Sequence, residues 1–370
     1  MKVLHILASG GVGGIEVLCK DIIKKANWDN RICVLFDEGS IYSELKEEGY
    51  NVFSLKNNKK NIIKSARKLA NYCKKEKIDI VTLHHGGLTL NIIYIILYRI
   101  LIREKISMKF VRYLHGSFDK YSFGNSNNRF KNYLIKYFMQ KAFDISDMLI
   151  FISQAVKSSF EQKFKLGNNK IVYNGIDSKF FCDIKHKNKT DLLKLIYVGR
   201  LYKTKGIPIL ISACKILKNQ KVKFELTIVG DGEERENLKK QVAQYELEEF
   251  VNFVGRQNNV IDWLDNADVF IYPSIWEEGF GISVVEAMAR GCIPITFNKG
   301  GLPEIIENGK NGFILENVNE EELASEIKET KELSQENKNK IIKNAIDTAK
   351  KYTIQKTISN LEKIYKLMLK

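Results

Sequence analysis

The feature that most constrains the fold of this chain is an alternation of short apolar runs with longer stretches of helical apolar spacing. Short apolar runs bounded by turn residues predict buried strands, and the stretches between them predict amphipathic helices. Such alternation predicts a parallel sheet with helices on both faces. In the first half the predicted strands are Lys2–Ala8, Arg31–Phe36, Val52–Leu55, Ile80–His84, Lys109–His115, Met148–Ile152 and Lys170–Tyr173.

A polar segment without hydrophobic period, residues 183–191, interrupts the alternation and predicts a linker. The pattern then restarts, with strands predicted at Leu193–Val198, Phe224–Val229, Val251–Val254, Val269–Tyr272 and Ile293–Phe297. We therefore expect two doubly wound α/β domains, residues 1–183 and 184–352, with a C-terminal helix at 353–370 that packs back on the first. Ligands of such sheets bind outside the carboxyl ends of the strands, so we expect a site in a cleft between the domains.

The charge of the chain is unevenly distributed. Of its 59 Lys and Arg and 44 Asp and Glu, residues 1–190 carry 33 and 17, whereas residues 191–370 carry 26 and 27. A basic region points to an anionic partner, such as nucleic acid, an acidic bilayer or a phosphorylated substrate. A solvated Lys-rich surface without a partner explains the same numbers.

Export, membrane insertion and structural metal binding are not predicted. The N-terminus lacks the long apolar core of a signal peptide, and the strongest apolar segment, Ile92–Ile102, is shorter than the ~20 residues of a spanning helix. That segment predicts a buried helix. The six cysteines form no Cys-x-x-Cys pair and the histidines show no metal-ligand spacing, so we expect free thiols, no metal and a cytoplasmic protein.

The most informative stretch, Glu277–Ile282, follows the last residues of a predicted strand and opens a predicted helix. Its glycines allow a ligand to approach the main chain, and the N–H groups of Phe280, Gly281 and Ile282 at a helix N-terminus suit an anion. Glu278 precedes the helix and Glu286 lies one turn into it, and carboxylates accept from hydroxyl groups. This combination predicts a sugar phosphate ligand. Solvent-facing acids near a helix N-terminus are the alternative.

Other strand ends carry weaker signals. Arg200 and Lys205 lie between a strand and a helix, where both reach the place that a diphosphate would take. The glycine run Gly10–Gly14 is not a Walker loop and resembles a dinucleotide-binding fingerprint only loosely. A plain tight turn is the stronger interpretation of it. His115 ends a predicted strand and is either a cleft residue or a structural histidine. The segment Val172–Asp177 reads as a hinge.

Together these residues resemble the retaining glycosyltransferases of family 4, which have the two-domain GT-B fold. The matching segments follow the order and spacing of that family across nearly the whole chain. They are Gly11–Glu16, His115, Ser153, Asn174–Asp177, Gly199–Gly206, Val229–Gly232, Glu278–Glu286 and Gly300–Gly312. The Glu-x7-Glu spacing of Glu278 and Glu286 is the most specific of them.

The resemblance implies a metal-independent transferase that takes a sugar from a nucleotide diphosphate, with a UDP-sugar favoured and no cofactor. It implies a glycan or lipid-linked acceptor of surface polysaccharide biosynthesis, which the first domain would bind, with the loop Gly116–Asn128 as its candidate contact. The implied catalytic residues are Glu278, His115, Arg200 and Lys205. The implied donor-binding residues are Gly13, Gly14, Arg200, Lys205, Gly230, Glu278, Gly279, Phe280, Gly281, Ile282 and Glu286.

Particular roles follow from the same resemblance. Arg200 and Lys205 would hold the diphosphate, Glu286 the ribose hydroxyls, and Glu278 the donor sugar. His115 and the Gly13–Gly14 loop would face the sugar and phosphate from the first domain. No residue stands out as a covalent nucleophile, and Glu278 is a weak candidate for that role.

Two other functions stay open. A nucleotide-sugar 2-epimerase has the same two-domain fold, and it would turn over the donor without any acceptor. A nucleic-acid-binding protein would use the basic first half, although the sequence carries no recognised nucleic-acid module.

The charge asymmetry also bears on location. We expect the enzyme to work at the inner face of a membrane, because basic helices with apolar flanks bind anionic bilayers. The predicted helices Ile62–Glu76 and Phe130–Phe143 would contribute Lys64, Lys68, Lys131 and Lys136. The alternative is an enzyme with a basic surface that contacts no membrane.

Overall fold

A computed structural model describes residues 1–11, 13–56, 61–84, 87–118, 129–181 and 191–370 of the protein. The chain divides into two compact units, one formed by residues 1–175 and 354–370 and the other by residues 176–353. The passage from the first to the second therefore lies within the Val172–Asp177 segment. Most of the predicted linker and the acceptor loop predicted from Gly116 to Asn128 lie outside the described residues, and both stay predictions.

The first unit contains a seven-stranded parallel sheet in the order β3-β2-β1-β4-β5-β6-β7. Its strands are β1 Lys2–Ser9, β2 Asp29–Asp37, β3 Val52–Ser54, β4 Ile80–Leu83, β5 Lys109–Leu114, β6 Met148–Phe151 and β7 Asn169–Ile171. The helices between them are α1 Gly14–Lys25, α2 Gly39–Glu47, α3 Ile62–Glu76, α4 Leu88–Arg103, α5 Arg129–Asp144 and α6 Gln154–Glu161. The strand order reverses between β1 and β4, which opens a crevice at their carboxyl ends.

The second unit contains a six-stranded parallel sheet in the order β10-β9-β8-β11-β12-β13. Its strands are β8 Leu193–Val198, β9 Phe224–Val229, β10 Val251–Gly255, β11 Val269–Tyr272, β12 Ile293–Phe297 and β13 Phe313–Leu315. Its helices are α7 Ile207–Asn219, α8 Arg235–Gln244, α9 Ile261–Asp265, α10 Ile282–Ala289, α11 Glu320–Glu332 and α12 Gln335–Ala349. Short 3₁₀ helices cover Ser178–Phe181, Lys203–Lys205 and Leu302–Glu304. The predicted doubly wound fold class is confirmed for both sheets.

The last helix, α13 (Ile354–Met368), belongs to the first unit, where it packs against α1. Its Tyr365 is fully buried, with its hydroxyl 3.3 Å from that of Thr82 and its ring edge-on to Trp28. Because the Tyr365 side chain is buried and its hydroxyl has a hydrogen-bond partner, this contact fixes the position of α13 on the sheet.

The apolar Ile92–Ile102 segment lies within α4, which packs between α3 and α5. Ile93, Tyr94, Leu97 and Leu101 are buried there, so the predicted use of the segment in the core is confirmed. No helix in the part of the chain that the structure describes is long and apolar enough to cross a bilayer.

Some of the helices begin at side-chain caps. The hydroxyl of Ser153 accepts from the Val156 N–H at 3.1 Å at the start of α6. The amide oxygen of Asn319 accepts from the Glu322 N–H at 2.7 Å at the start of α11. Each cap satisfies a backbone donor that the first helical turn leaves without a partner.

Candidate functional site

Most of the predicted site residues of the second unit lie where β8 and β11 end. These strands are neighbours in the sheet although they are distant in sequence, and the loops that follow them contain Arg200, Lys205 and Glu278. The Ile275 N–H donates to the Thr204 carbonyl at 3.1 Å and joins the two loops. The fold therefore brings together two stretches that the sequence shows separately.

Glycines allow this close approach of main chains. Gly206 has a φ of +67°, and a Cβ at this position would overlap the Pro273 carbonyl. Gly230 has a φ of +147°, and a Cβ there would overlap the Gly199 carbonyl. Any other residue would force these loops apart, so Gly206 and Gly230 shape the site through the backbone.

Lys205 and Glu278 form an ion pair. Lys205 Nζ donates to Glu278 Oε1 at 2.6 Å and to the Tyr272 hydroxyl at 3.0 Å. The side chains of Lys205 and Glu278 are only 14% and 11% exposed. The resemblance gives these two residues different parts of the donor, whereas here they neutralise each other. The alternative that Glu278 is a solvent-facing acid is wrong.

Two residues that sequence reasoning missed, Tyr272 and Ser274, complete this cluster. The Ser274 hydroxyl donates to Glu278 Oε1 at 2.5 Å and accepts from the Trp276 N–H at 3.3 Å. Burial and the charge of Glu278 raise the pKa of Tyr272 well above its usual value, so its hydroxyl stays protonated. Both residues stand at the carboxyl end of β11, and that position alone could have identified them.

Arg200 lies on the open side of the same cluster. It is exposed, and its guanidinium carbon lies 5.0 Å from the ring centroid of Tyr202. Tyr197, buried behind it, donates through its hydroxyl to the Arg200 carbonyl at 3.0 Å. Burial, aided by Tyr272 and Glu278, raises the pKa of Tyr197, while the nearby charges of Lys205 and Arg200 oppose the shift. The site thus combines one exposed cation with one cation paired to a carboxylate.

The loop before α10 is fastened by backbone contacts. The Gly301 N–H donates to the Glu278 carbonyl at 2.7 Å, and the Gly300 N–H donates to Glu277 Oε2 at 2.8 Å. Phe280 is buried with its ring against Tyr352. This anchoring places three further predicted residues: Gly279 in the loop, Gly281 at the N-cap and Ile282 as the first residue of α10.

Glu286 lies in the middle of α10 and is half-buried. Its position one turn beyond Ile282 agrees with the spacing argument from the sequence. The α10 N-terminus, where Phe280, Gly281 and Ile282 lie, carries the positive end of the helix dipole. The predicted donor residues of the second unit therefore share one edge of its sheet.

In the first unit the glycine run leads from β1 into α1. Gly10 donates to the Asp37 carbonyl at 2.7 Å, and a Cβ on Gly10 would overlap the Glu38 carbonyl. Gly13 is the N-cap of α1 with extended backbone, and Gly14 is its exposed first residue. The described residues at the start of this run therefore pack on the loop that follows β2.

His115 follows β5 and ends a chain of three histidines. His115 Nε2 lies 3.0 Å from His84 Nδ1, and His84 Nε2 lies 2.8 Å from His5 Nδ1. His5 Nε2 contacts the amide oxygen of Asn30 at 3.0 Å, while the amide nitrogen of Asn30 donates to the Trp28 carbonyl. His5 and His84 are buried and His115 is half-buried.

The Asn30 amide orients the whole chain of rings. Since its oxygen faces His5, His5 Nε2 must carry the proton and donate, and Nδ1 accepts from His84. Burial lowers the pKa of His5 to about 4, so this ring is neutral at neutral pH. For neutral rings the same alternation continues, and His115 donates through Nε2. The end-of-strand rule that singled out His115 applies equally to His84, which follows β4.

No group of three or more His, Cys, Asp or Glu side chains among the described residues is arranged to hold a metal ion. The five described cysteines are buried free thiols, and Cys182 and His85 lie outside the described residues.

The sequence matches two protein-family models. A family model described as Glycosyltransferase Family 4 matches residues 12–180, and one described as Glycosyl transferases group 1 matches residues 180–348. An uncharacterized glycosyltransferase of Haemophilus influenzae is 26% identical over 329 residues, which cover 87% of this chain and 86% of that protein.

Two further similar proteins have more specific names. The putative colanic acid biosynthesis glycosyltransferase WcaL of Salmonella typhimurium is 34% identical over 162 residues, which cover 42% of this chain and 40% of that protein. The crystal structure of Anabaena Alr3699/HepE in complex with UDP has a TM-score of 0.82 at 21% identity, over 98% of this chain and 99% of that one.

Proposed function

The chain belongs to the group 1 and family 4 glycosyltransferases, with their GT-B fold of two Rossmann-like units, and from this premise we propose that it is a retaining enzyme that uses a UDP-sugar. The proposed acceptor is a hydroxyl of a glycan or lipid-linked precursor of a surface polysaccharide. The neighbour solved with UDP supports the donor, and the relative named for colanic acid biosynthesis supports the pathway. The grouping of Arg200, Lys205 and Glu278 carries the proposal.

Charge on the leaving group is the central demand of this reaction. As the bond from the anomeric carbon to the diphosphate breaks, negative charge grows on the leaving phosphate oxygen. Arg200 and the α10 N-terminus, together with Lys205 once it leaves Glu278, would present positive charge at one edge of the sheet, and fixed charges of this kind stabilise a transition state. In this proposal the two cations take the part that a divalent cation takes in metal-dependent transferases.

Carboxylates would orient the neutral parts of the donor. Glu286 would accept from the ribose hydroxyls and Glu278 from a hydroxyl of the sugar, while the glycines Gly13, Gly14, Gly230 and Gly279 would admit the ligand close to the main chain. For retention, the acceptor hydroxyl attacks on the face of the leaving group and passes its proton to the leaving phosphate oxygen. Glu278 Oε1 is engaged by Lys205 and Ser274, which makes that oxygen a poor nucleophile. His115 is proposed to assist at the sugar.

A panel of donors tests this proposal. UDP-sugars should raise the melting temperature of the protein more than GDP- or ADP-sugars, and the Lys205→Gln variant should lose that shift. Lys203→Gln, an exposed lysine of the same loop, is the matched control and should keep it. If none of the nucleotide sugars raised the melting temperature, the result would contradict the proposal.

An experiment without acceptor distinguishes the epimerase alternative from the proposed transferase. Donor incubated alone should stay unchanged in sugar configuration when followed by proton NMR. Conversion to a 2-epimer under these conditions would favour the epimerase. With an acceptor, the anomeric coupling of the product should match that of the donor, and inversion would contradict retention.

We also propose that the enzyme works at the cytoplasmic face of a membrane. A groove of about 830 Å³ beside α3 and α4 has an apolar floor that includes Ile62 and Ile96, with Lys64, Arg67 and Lys68 along it. These three cations are exposed. Each basic residue near an anionic bilayer contributes about 1 kcal/mol of attraction.

Helix α5 adds a second surface of the same kind. Phe130, Tyr133 and Tyr137 are 68%, 64% and 46% exposed, and their spacing places them on one face of the helix. Lys131 and Lys136 are exposed on the same helix. Aromatic rings beside lysines suit the boundary between headgroups and acyl chains.

Vesicle flotation tests the membrane proposal. The protein should float with vesicles of anionic phospholipid at low salt, and less with neutral vesicles. Replacing Lys64 and Lys68 by Gln should reduce recovery, whereas replacing the exposed Lys239 and Lys240 of α8 should not. Equal recovery with both vesicle types would contradict it and leave the transferase proposal intact.

A further inference from the structure

The proposed function places opposite demands on Lys205 and Glu278. Lys205 must reach the diphosphate and Glu278 the sugar, yet in the ligand-free chain Lys205 Nζ lies 2.6 Å from Glu278 Oε1. Glu278 is 8% exposed, so a carboxylate that loses its counter-ion here is largely shielded from water. Such a group needs another hydrogen bond to remain ionised in place.

Ser274 is the residue that supplies this bond. Its side chain is fully buried, and its oxygen lies 2.5 Å from Glu278 Oε1. The same oxygen accepts from the Trp276 N–H. Because a lone pair of Ser274 Oγ is used in that bond, the hydroxyl proton points to the Glu278 carboxylate. The Thr204 carbonyl, at 3.4 Å, is the weaker acceptor of that proton.

Tyr272 is a neutral hydrogen-bond partner of Lys205, as Ser274 is of Glu278. Its hydroxyl oxygen accepts from Lys205 Nζ at 3.0 Å, and the Tyr272 side chain is buried. Because both members of the ion pair have a neutral partner on β11 or just after it, the pair can separate without leaving either charge bare.

We propose that Ser274 is a positioning residue that holds Glu278 ionised and oriented once Lys205 has turned to the diphosphate. In this role Ser274 keeps Oε1 and leaves Oε2 to accept from a hydroxyl of the donor sugar. The inference rests on the proposed function and deepens it, since it makes separation of the Lys205–Glu278 pair a step of donor binding.

A double-mutant cycle tests the inference. Ser274→Ala should lower kcat/KM about tenfold in the wild-type background and less than about twofold when Glu278 is already Gln. A serine that only shaped the loop would lower it equally in both backgrounds, and equal effects would overturn the inference. No effect in either background would do the same.

A second readout is nucleotide binding. Without Ser274, UDP alone leaves the buried Glu278 with the Tyr272 hydroxyl as its neighbouring donor after Lys205 moves, whereas a UDP-sugar adds a hydroxyl of the sugar. Ser274→Ala should therefore weaken UDP binding more than UDP-sugar binding in calorimetry. Equal weakening of both ligands would contradict the inference.

Controls separate folding from positioning. Ser274→Thr keeps the hydroxyl and should restore most of the activity. Ser274→Cys, with a weaker donor of similar size, should fall between wild type and Ala, and it replaces Ala if that variant does not fold. Ser212→Ala removes a half-buried hydroxyl of α7 that accepts from Gln241, and it should leave kcat/KM unchanged. A wild-type chain that binds no nucleotide would overturn the proposed function together with this inference, whereas normal binding with an inert Ser274→Ala overturns the inference alone.

Discussion

The two units offer different chemistry at the carboxyl ends of their strands. In the second unit a buried ion pair, Lys205 and Glu278, stands beside the exposed Arg200. In the first unit the strands β4 and β5 are followed by imidazoles, His84 and His115, which are joined to His5 within β1. One unit therefore places opposite charges in contact, and the other uses hydrogen bonds between rings of which His5 is held neutral.

The largest effect is expected from a mutation that disrupts the Lys205–Glu278 ion pair of the second unit. Glu278→Gln should lower kcat about a hundredfold, because an interaction aimed at the reacting sugar contributes mainly in the transition state. UDP binding should fall much less, since the change also frees Lys205 for the diphosphate. Calorimetry with UDP beside initial rates with donor and acceptor checks this, and Glu277→Gln is the neighbouring control. Equal losses in binding and turnover would show that Glu278 does not act at the sugar.

The buried, neutral His5 of the first unit predicts that the stability of the protein depends on pH. Burial lowers the pKa of His5 to about 4 from a usual value of 6.5. Between these values the unfolded chain binds a proton that the folded chain refuses, so the free energy of unfolding falls as the pH drops from 6.5 to 4. His5 alone should remove about 2 kcal/mol at pH 5 relative to neutral pH.

Urea titrations at pH 7 and pH 5 measure this loss. The fluorescence of Trp28 reports on the first unit when Trp263 and Trp276 are replaced by Phe. The groups that face His5 are Asn30 and His84, with Cys19 next to His84. His5→Gln should lose less stability on acidification than the parent, and an unchanged difference between the two pH values would refute the prediction.

A smaller effect is expected at the exposed cation. Arg200→Ala should weaken UDP binding about tenfold, because one charge-assisted hydrogen bond to phosphate is lost at a solvent-exposed position. Lys203→Ala is the control from the same loop. The affinity of the Arg200 variant should also vary less steeply with salt. Unchanged affinity in calorimetry would remove Arg200 from the donor site.

Sequence periodicity was sufficient for the elements but not for the contacts between them. Helix α3 and strands β9, β11 and β12 have the predicted bounds, because their apolar periods end at clear turn residues. Strand β13, Phe313–Leu315, was not predicted.

The ion pair of the site could not be foreseen in the same way. Lys205 and Glu278 lie 73 residues apart, and their contact depends on β8 pairing with the distant strand β11 on one side, in addition to β9, the next strand in sequence, on the other. The histidine chain likewise depends on β4 lying between β1 and β5. Sequence patterns indicate which residues end at the functional edge of a sheet, and only strand order determines which of them meet.

The smallest effect concerns the proton on His115. The Asn30 amide fixes the direction of the hydrogen bonds, so His115 should be protonated on Nε2 and its Nδ1 should be the acceptor. Long-range ¹H–¹⁵N spectra distinguish the two ring nitrogens directly. Replacing His84 by Phe removes the acceptor of His115 Nε2 and should shift the tautomer ratio of His115 about three- to tenfold, which corresponds to one ordinary hydrogen bond. His5→Gln leaves His84 in place and should change that ratio less. A wild-type spectrum with the proton on Nδ1 of His115 would reverse the inferred direction of the chain, and the contrast between a neutral acceptor in one unit and an ion pair in the other would have to be redrawn.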